Sequence, residues 1–354
     1  MSTTNRLRVL LGGLHTWWSC VAMAACPAVC AAIPAHAAEP ATYTRTWTLE
    51  SKHGAGPLAF SADGALVFAH VLGESTPPAL RDGIAAVERK TGALLGFAVQ
   101  PGDGKPAAVA GLAATARLGE DAVLLWPGDT SAAHPADVQW ARCNATPGRL
   151  FGAPFPFGGK GGAVYEFDAK SGARGKQVAR YDAKTQHVTR LVANPACTRL
   201  LLVQEGPHSG VGVDVFDIAS GKALTRLVTK GVTSAAWSRN EQTIATLDNK
   251  GVVGLWSAAD GKRLREFRTA DGQLGQVLYR SDGALVVVPL AGAVVAIVLD
   301  AETGAERQRL ETGACRARMA VAQAPDGTAF AVSCRRDTDI GLGTAIELYS
   351  IAGP

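Results

Sequence analysis

One hairpin is written several times along this chain, and that repetition restricts the fold more than any other feature. The segments VDVFDIASGKALTRL (Val213 to Leu227), VVGLWSAADGKRLREF (Val252 to Phe267) and AIVLDAETGAERQRL (Ala296 to Leu310) each read as two short strands around a turn. Aligned on the position just before the turn, Phe216, Trp256 and Leu299 fall 40 and 43 residues apart. Upstream, Val87 in VERKTGALLGF and Tyr181 in YDAKTQHVTRL stand 94 residues apart, which is two periods with a degenerate copy around WARCNATPGRLF. Tyr349 in IELYSIAGP begins one more copy, cut short by the chain end.

A second hairpin precedes the first in each unit. It reads LAFSADGALVFA from Leu58, VLYRSDGALVVV from Val277 and VAQAPDGTAFAV from Val321, with looser versions in VANPACTRLLLV and AAWSRNEQTIAT. Asp-Gly pairs between apolar, β-branched runs supply the φ > 0 positions that let a tight hairpin close. Each unit is then four strands in about 40 to 45 residues, the period of a propeller blade. The chain is expected to be all-β, a seven-bladed β-propeller of four-stranded antiparallel blades. The last copy lacks its fourth strand, and TYTRTWTLE (Thr42 to Glu50) resembles that strand. The N-terminal strand is therefore expected to complete the last blade and close the ring, which removes an edge that would otherwise invite aggregation.

The first 38 residues are set apart. Arg6 and Arg8 precede an apolar stretch from Val9 to Ile33 and then AHAAEP, the pattern of a secretory signal peptide cleaved after Ala37 or Ala38. Residues 39–354 form a single propeller domain in this reading, placed in the periplasm. The alternative is a lipoprotein anchored at Cys26 in MAAC; Met23 fits that signal poorly. Removing the segment lowers the formal charge from +4 to +2, because it holds two Arg and no acid. So small a charge, with no basic run, argues against nucleic acid as a partner. No transmembrane segment is expected after cleavage.

The chain resembles the WD-repeat-type seven-bladed β-propellers, nearest the exported bacterial kinds with SPDG-like turns, such as the TolB propeller and the YVTN-repeat proteins. The resemblance runs from about Thr42 to Ile351. It implies a propeller fold and commonly a binding role, an inference by analogy of fold. Two departures stand out. The Trp-Asp pair of the eukaryotic repeat is Trp256-Ser257 here, and the Gly-His before the first strand is Lys230-Gly231, so the family's His–Asp network is not expected. Asp248 keeps its tight-turn place in LDNKGVVGLW.

Chemistry-bearing motifs are sparse. His53, His70, His134, His187 and His208 are scattered, with no HExxH, paired CxxC or CxxCH pattern, so neither a metal nor a covalent haem is expected. No GxSxG elbow is present. The Gly-rich FGGKGGAVY (Phe157 to Tyr165) lacks the Lys-Ser/Thr and the helix of a phosphate loop, and reads as a loop entering the third blade. Asp337 and Asp339 in RRDTDIG lie beside two Arg, which disfavours calcium. No cofactor is expected. Four Cys follow the signal. Cys315 and Cys334 bracket one hairpin and are expected to form a disulfide, as an exported location permits. Cys143, read at a turn between third and fourth strands, and Cys197, read two blades away, form a doubtful pair.

Binding groups are expected on the face carrying the second-to-third and blade-to-blade connections, where loops vary. The candidates are His70, Arg81, Asp82, His208, Asp248, Lys250, Arg335, Arg336 and Asp337. The favoured function is a non-catalytic exported scaffold for another envelope protein, a peptide or a ligand. The alternatives are a propeller-type lactonase or hydrolase with a site on that loop face, and an accessory subunit of a periplasmic redox complex.

Overall fold

The computed structural model describes residues 41–51, 55–61, 63–71, 83–99, 138–143, 149–154, 162–168, 174–181, 187–205, 212–269, 275–311, 315–338 and 341–351. They contain 24 strands and no helix, hence no helix long and apolar enough to cross a membrane. The strands form six four-stranded antiparallel sheets. Sheet I holds β2 (Ala55–Phe60), β3 (Leu66–Val71), β4 (Gly83–Glu88) and β5 (Leu94–Val99). Sheet II holds β6 (Val138–Arg142), β7 (Arg149–Pro154), β8 (Gly162–Asp168) and β9 (Arg174–Tyr181). Sheet III holds β10 (His187–Ala193), β11 (Arg199–Glu205), β12 (Val213–Asp217) and β13 (Ala223–Leu227). Sheet IV holds β14 (Val232–Trp237), β15 (Thr243–Asp248), β16 (Val252–Ser257) and β17 (Arg263–Arg268). Sheet V holds β18 (Gly275–Tyr279), β19 (Leu285–Pro289), β20 (Val294–Leu299) and β21 (Glu306–Glu311). Sheet VI runs β22 (Cys315–Gln323), β23 (Ala329–Thr338), β24 (Gly341–Ile351) and then β1 (Tyr43–Ser51), so the N-terminal strand does complete the last sheet.

Burial grades across each sheet. The second strands carry buried apolar runs, as in LVVVP of β19, where every residue is buried. A strand covered on both faces needs no polar alternation, which is why these strands read as continuous apolar runs. The fourth strands, such as RLREFR of β17, are largely exposed and carry the charge. Cores form between neighbouring sheets. Phe151 and Val164 of sheet II pack with Leu200 and Phe216 of sheet III. Leu201 and Val215 meet Trp237 and Trp256 of sheet IV, and Leu247 and Leu255 meet Val277 and Leu285 of sheet V. Val286 and Val298 meet Phe330 and Tyr349 of sheet VI, and Ala331 and Leu348 meet Val67 and Val87 of sheet I. Each such buried side chain contributes on the order of 1.5–3 kcal/mol.

The turns between third and fourth strands lock neighbours together. The turns at Gly221, Gly261 and Gly304 each rest on the fourth strand of the preceding sheet, at Val178, Thr225 and Phe267. The turn of sheet I follows the same rule: Gly92 (φ +74°) lies against Trp47 of β1, and a Cβ there would approach the indole to 2.7 Å. Trp47 Nε1 also donates to the Arg89 carbonyl at 2.8 Å, and Arg89 pairs with Asp326 of sheet VI at 2.8 Å. Sheet I thus follows the β1-completed sheet as the others follow their predecessors.

Four sequence readings need correction. The segment after Tyr181 is the link from β9 to β10, not a turn within a sheet; the third-to-fourth-strand pairing of sheet II is β8 with β9. WARCNATPGRLF is not a degenerate extra copy but the first hairpin of sheet II, with Arg142 opposite Leu150. Cys143 therefore sits at a first-to-second-strand turn, as Cys197 does one sheet on, and the two form a disulfide with Cα atoms 5.5 Å apart. The Gly-rich segment connects β7 to β8 instead of leading into the sheet. RRDTDIG, read as a loop, is mostly strand: Arg335, Arg336, Asp337 and Thr338 pair with Thr344, Gly343, Leu342 and Gly341. A charged run pairs well there because the partner strand supplies the backbone ladder whatever the side chains.

The expected Cys315–Cys334 disulfide is present, with Cα atoms 5.4 Å apart. Two disulfides fit an oxidising, exported location. Residues 1–38 lie outside the described residues.

Candidate functional site

The first strands of all six described sheets line one cavity of about 700 Å³, reaching from β2, β6, β10, β14, β18 and β22 to the turns that follow several of them. Leu278, Val192, Trp237 and Met319 are among the apolar lining residues, and about half of the surface the cavity presents is polar. Met319 is 38% exposed although it stands in a strand, and the cavity is the space it borders.

Three arginines line this space. Arg190 of β10 donates through Nη1 to Gln276 Oε1 of β18 at 2.8 Å, a link between sheets III and V that passes the intervening β14. No described carboxylate pairs with it, and Gln276 is its one hydrogen-bond partner among the described residues. Burial pushes the guanidinium pKa down to about 10, so it remains a cation at neutral pH, held at a desolvation cost.

Arg280 is handled differently. It is 1% exposed, donates through Nε to Asp282 Oδ1 at 2.7 Å, reaches the Ala41 carbonyl through Nη1, and stands over the Tyr43 ring at 5.7 Å. Arg239, at the turn after β14, donates to the Asp326 carbonyl at 3.3 Å. Asp326 is the one carboxylate among the described lining residues, and Arg89 holds it. Burial opposes its ionisation, but the hydrogen bonds from Arg89 and Thr328 keep its carboxyl below the usual range. No histidine stands among the described lining residues.

The residues singled out from sequence lie elsewhere. Asp248 ends β15, and its Oδ1 accepts the backbone N–H groups of Lys250 and Val252, both at 2.8 Å, so it caps the connection to β16. Lys250 is exposed on that connection. Arg335 is exposed near the end of β23, and Arg336 and Asp337 follow it in the same strand. These residues share the end where second strands hand over to third strands. His70 pairs with Ile84 in the β3–β4 ladder. Arg81, Asp82 and His208 lie outside the described residues.

Cys315, Cys334 and Glu347 bring three ligand-type atoms within 4.8 Å, but the two sulfurs are bonded to each other and Glu347 accepts the Tyr349 hydroxyl at 2.7 Å. Trp256 Nε1 donates to Thr246 Oγ1 at 2.9 Å, a link between the second and third strands of sheet IV.

Arg190, Gln276 and Arg280 escape a motif search because they come from strands dozens of residues apart. Their one sequence signal is a polar side chain inside an otherwise apolar first strand, as in HVTRLVA and GQVLYR. A scan against protein-family models and a search of curated proteins return no match.

Proposed function

We propose that the chain is an exported, closed, seven-bladed propeller of the WD-repeat, YVTN and TolB-like kind, acting as a non-catalytic binding scaffold in the cell envelope. The six described sheets pack in succession, and the interval between Val99 and Val138 is about one repeat long, enough for a seventh blade between sheets I and II. The two disulfides, and the basic and apolar start of the chain, support export. The observation that carries the non-catalytic reading is the cavity wall. Its one described carboxylate is tied to Arg89 and no described histidine borders it, so the usual general acid and base groups do not meet there.

A rigid ring presents the Asp248–Lys250 connection and the Arg335 end of β23 on one face, where an envelope protein or peptide docks. In-cell cross-linking tests this. The tagged chain yields a discrete cross-linked species, which the Lys250→Glu/Arg335→Glu variant loses and an Arg265→Glu variant on the outer strand β17 retains. A chain that stays monomeric and uncross-linked in the envelope contradicts the scaffold reading.

A further inference from the structure

We propose that the central cavity binds a small organic carboxylate, its charged head on Arg190 and Gln276 and its apolar body along Trp237, Leu278 and Met319. This goes beyond the scaffold reading and depends neither on an envelope partner nor on export.

The two almost fully buried arginines, Arg280 and Arg318, each have several acceptors, although the Arg318 Nε has none among the described residues. Arg280 has both oxygens of Asp282 and a carbonyl. Arg318, 4% exposed, donates to the carbonyls of Pro289 at 3.1 Å, Gly292 at 2.9 Å and Cys315 at 3.3 Å. Among the described residues Arg190 has a single neutral acceptor, Gln276 Oε1, which leaves most of its five donors for another molecule. Gln276 Nε2 also donates to no described protein group, so a second donor stands beside the first. A partly buried cation with no described anion beside it is costly, and such costs persist at sites that bind something.

The surroundings specify the ligand. The lining arginines outnumber the one lining carboxylate, which Arg89 already neutralises, so the cavity favours an anion. A guanidinium fork matches the planar carboxylate in a bidentate pair. Trp237, Leu278 and Met319 form an apolar part of the wall beside the polar Ser281 and Gln323, which suits a carboxylate that carries a hydrocarbon or aromatic body. The cavity, at about 700 Å³, lies within the range of small-molecule sites. With no described histidine on the wall and Asp326 tied to Arg89, the ligand is held and not converted.

Calorimetry on the purified mature chain tests the proposal with hexanoate, benzoate and 3-phenylpropionate, each against its matching alcohol, and with inorganic phosphate. At least one carboxylate binds, and its alcohol binds at least about tenfold more weakly. Arg190→Met lowers carboxylate affinity by at least about tenfold while leaving the ligand-free Tm unchanged or higher, because it removes a partly buried charge that no described anion balances. Arg190→Lys keeps part of the affinity. Should Arg190→Met fail to fold, Gln276→Leu replaces it and weakens binding several-fold. The proposal is overturned if none of the three carboxylates binds, if the alcohols bind equally, if phosphate binds as tightly as the best carboxylate, or if the folded variants bind like the parent.

Discussion

Gln308 holds the backbone of Tyr43 at both polar groups. The Tyr43 N–H donates to Gln308 Oε1 at 2.8 Å, and Gln308 Nε2 donates to the Tyr43 carbonyl at 2.8 Å. The outer strand of sheet V thereby grips the first residue of β1, whose ring is 1% exposed and meets Phe330 edge-on at 5.0 Å. Gln308→Ala strands both backbone groups and is expected to cost about 1–2 kcal/mol. Tyr43→Ala also empties a core position and is expected to cost about 3–5 kcal/mol, by analogy with large aromatic truncations. Chemical denaturation of both variants checks the order.

The turn glycines separate two contributions. Gly304 has φ +74°, and an added Cβ would collide with the Phe267 ring on the preceding sheet; Gly283 has φ +87° with open space around it. Gly283→Ala carries only the left-handed backbone penalty, about 1–2 kcal/mol. Gly304→Ala carries that plus the collision and lowers Tm clearly more. Equal effects would mean that the turn does not bear on its neighbour.

The disulfides differ in span: Cys143–Cys197 closes 54 residues and Cys315–Cys334 closes 19. Loop-closure entropy then gives about 4 kcal/mol for the first and about 3 kcal/mol for the second. Paired Cys→Ala variants should fall in that order on thermal melting, and a thiol assay on the oxidised mature chain should find no free thiol.

Acid should destabilise the fold. Burial opposes ionisation of Asp282, but the Arg280 hydrogen bond and the Ala284 N–H hold its carboxyl low, and Asp326 is held low in the same way by Arg89 and Thr328. Asp300 is lowered by the Thr303 N–H, Arg307 and the Thr303 hydroxyl. Groups depressed in the folded state contribute stability fully above their unfolded pKa of about 3.9, and lose it as pH falls through the lower folded values. Tm is expected to hold from pH 7 to 5 and to drop below pH 4. Asp326→Asn lowers Tm at pH 7 and makes the acid slope shallower.

The hairpins around Phe216, Trp256 and Leu299 were legible because turn chemistry and strand pattern are local. Tyr181 misled for the same reason. Asp182, Lys184 and Thr185 resemble a hairpin turn, but local sequence says only that the chain bends, not whether the strands on either side share a sheet. Misplacing that link also put Cys143 at the wrong turn and hid its pairing with Cys197. The N-terminal strand was legible because it copies the outer-strand pattern and the last unit lacks one. The cavity was not legible. Arg190 and Gln276 are 86 residues apart, and only the packing of sheets III, IV and V brings them within 2.8 Å.

Closure by the N-terminal strand is the central claim, and removing that strand tests it most directly. β1 pairs with β24 from Tyr43 opposite Ile351 to Ser51 opposite Thr344, so a chain beginning at Gly54 would expose the edge of β24. Size-exclusion chromatography with thermal melting is the measurement. The account predicts that the shortened chain associates or melts at least about 10 °C lower, since many kcal/mol of contacts are lost. A synthetic peptide of residues 41–51 added in trans restores the monomer and the Tm. A shortened chain that stays monomeric with an unchanged Tm would contradict it.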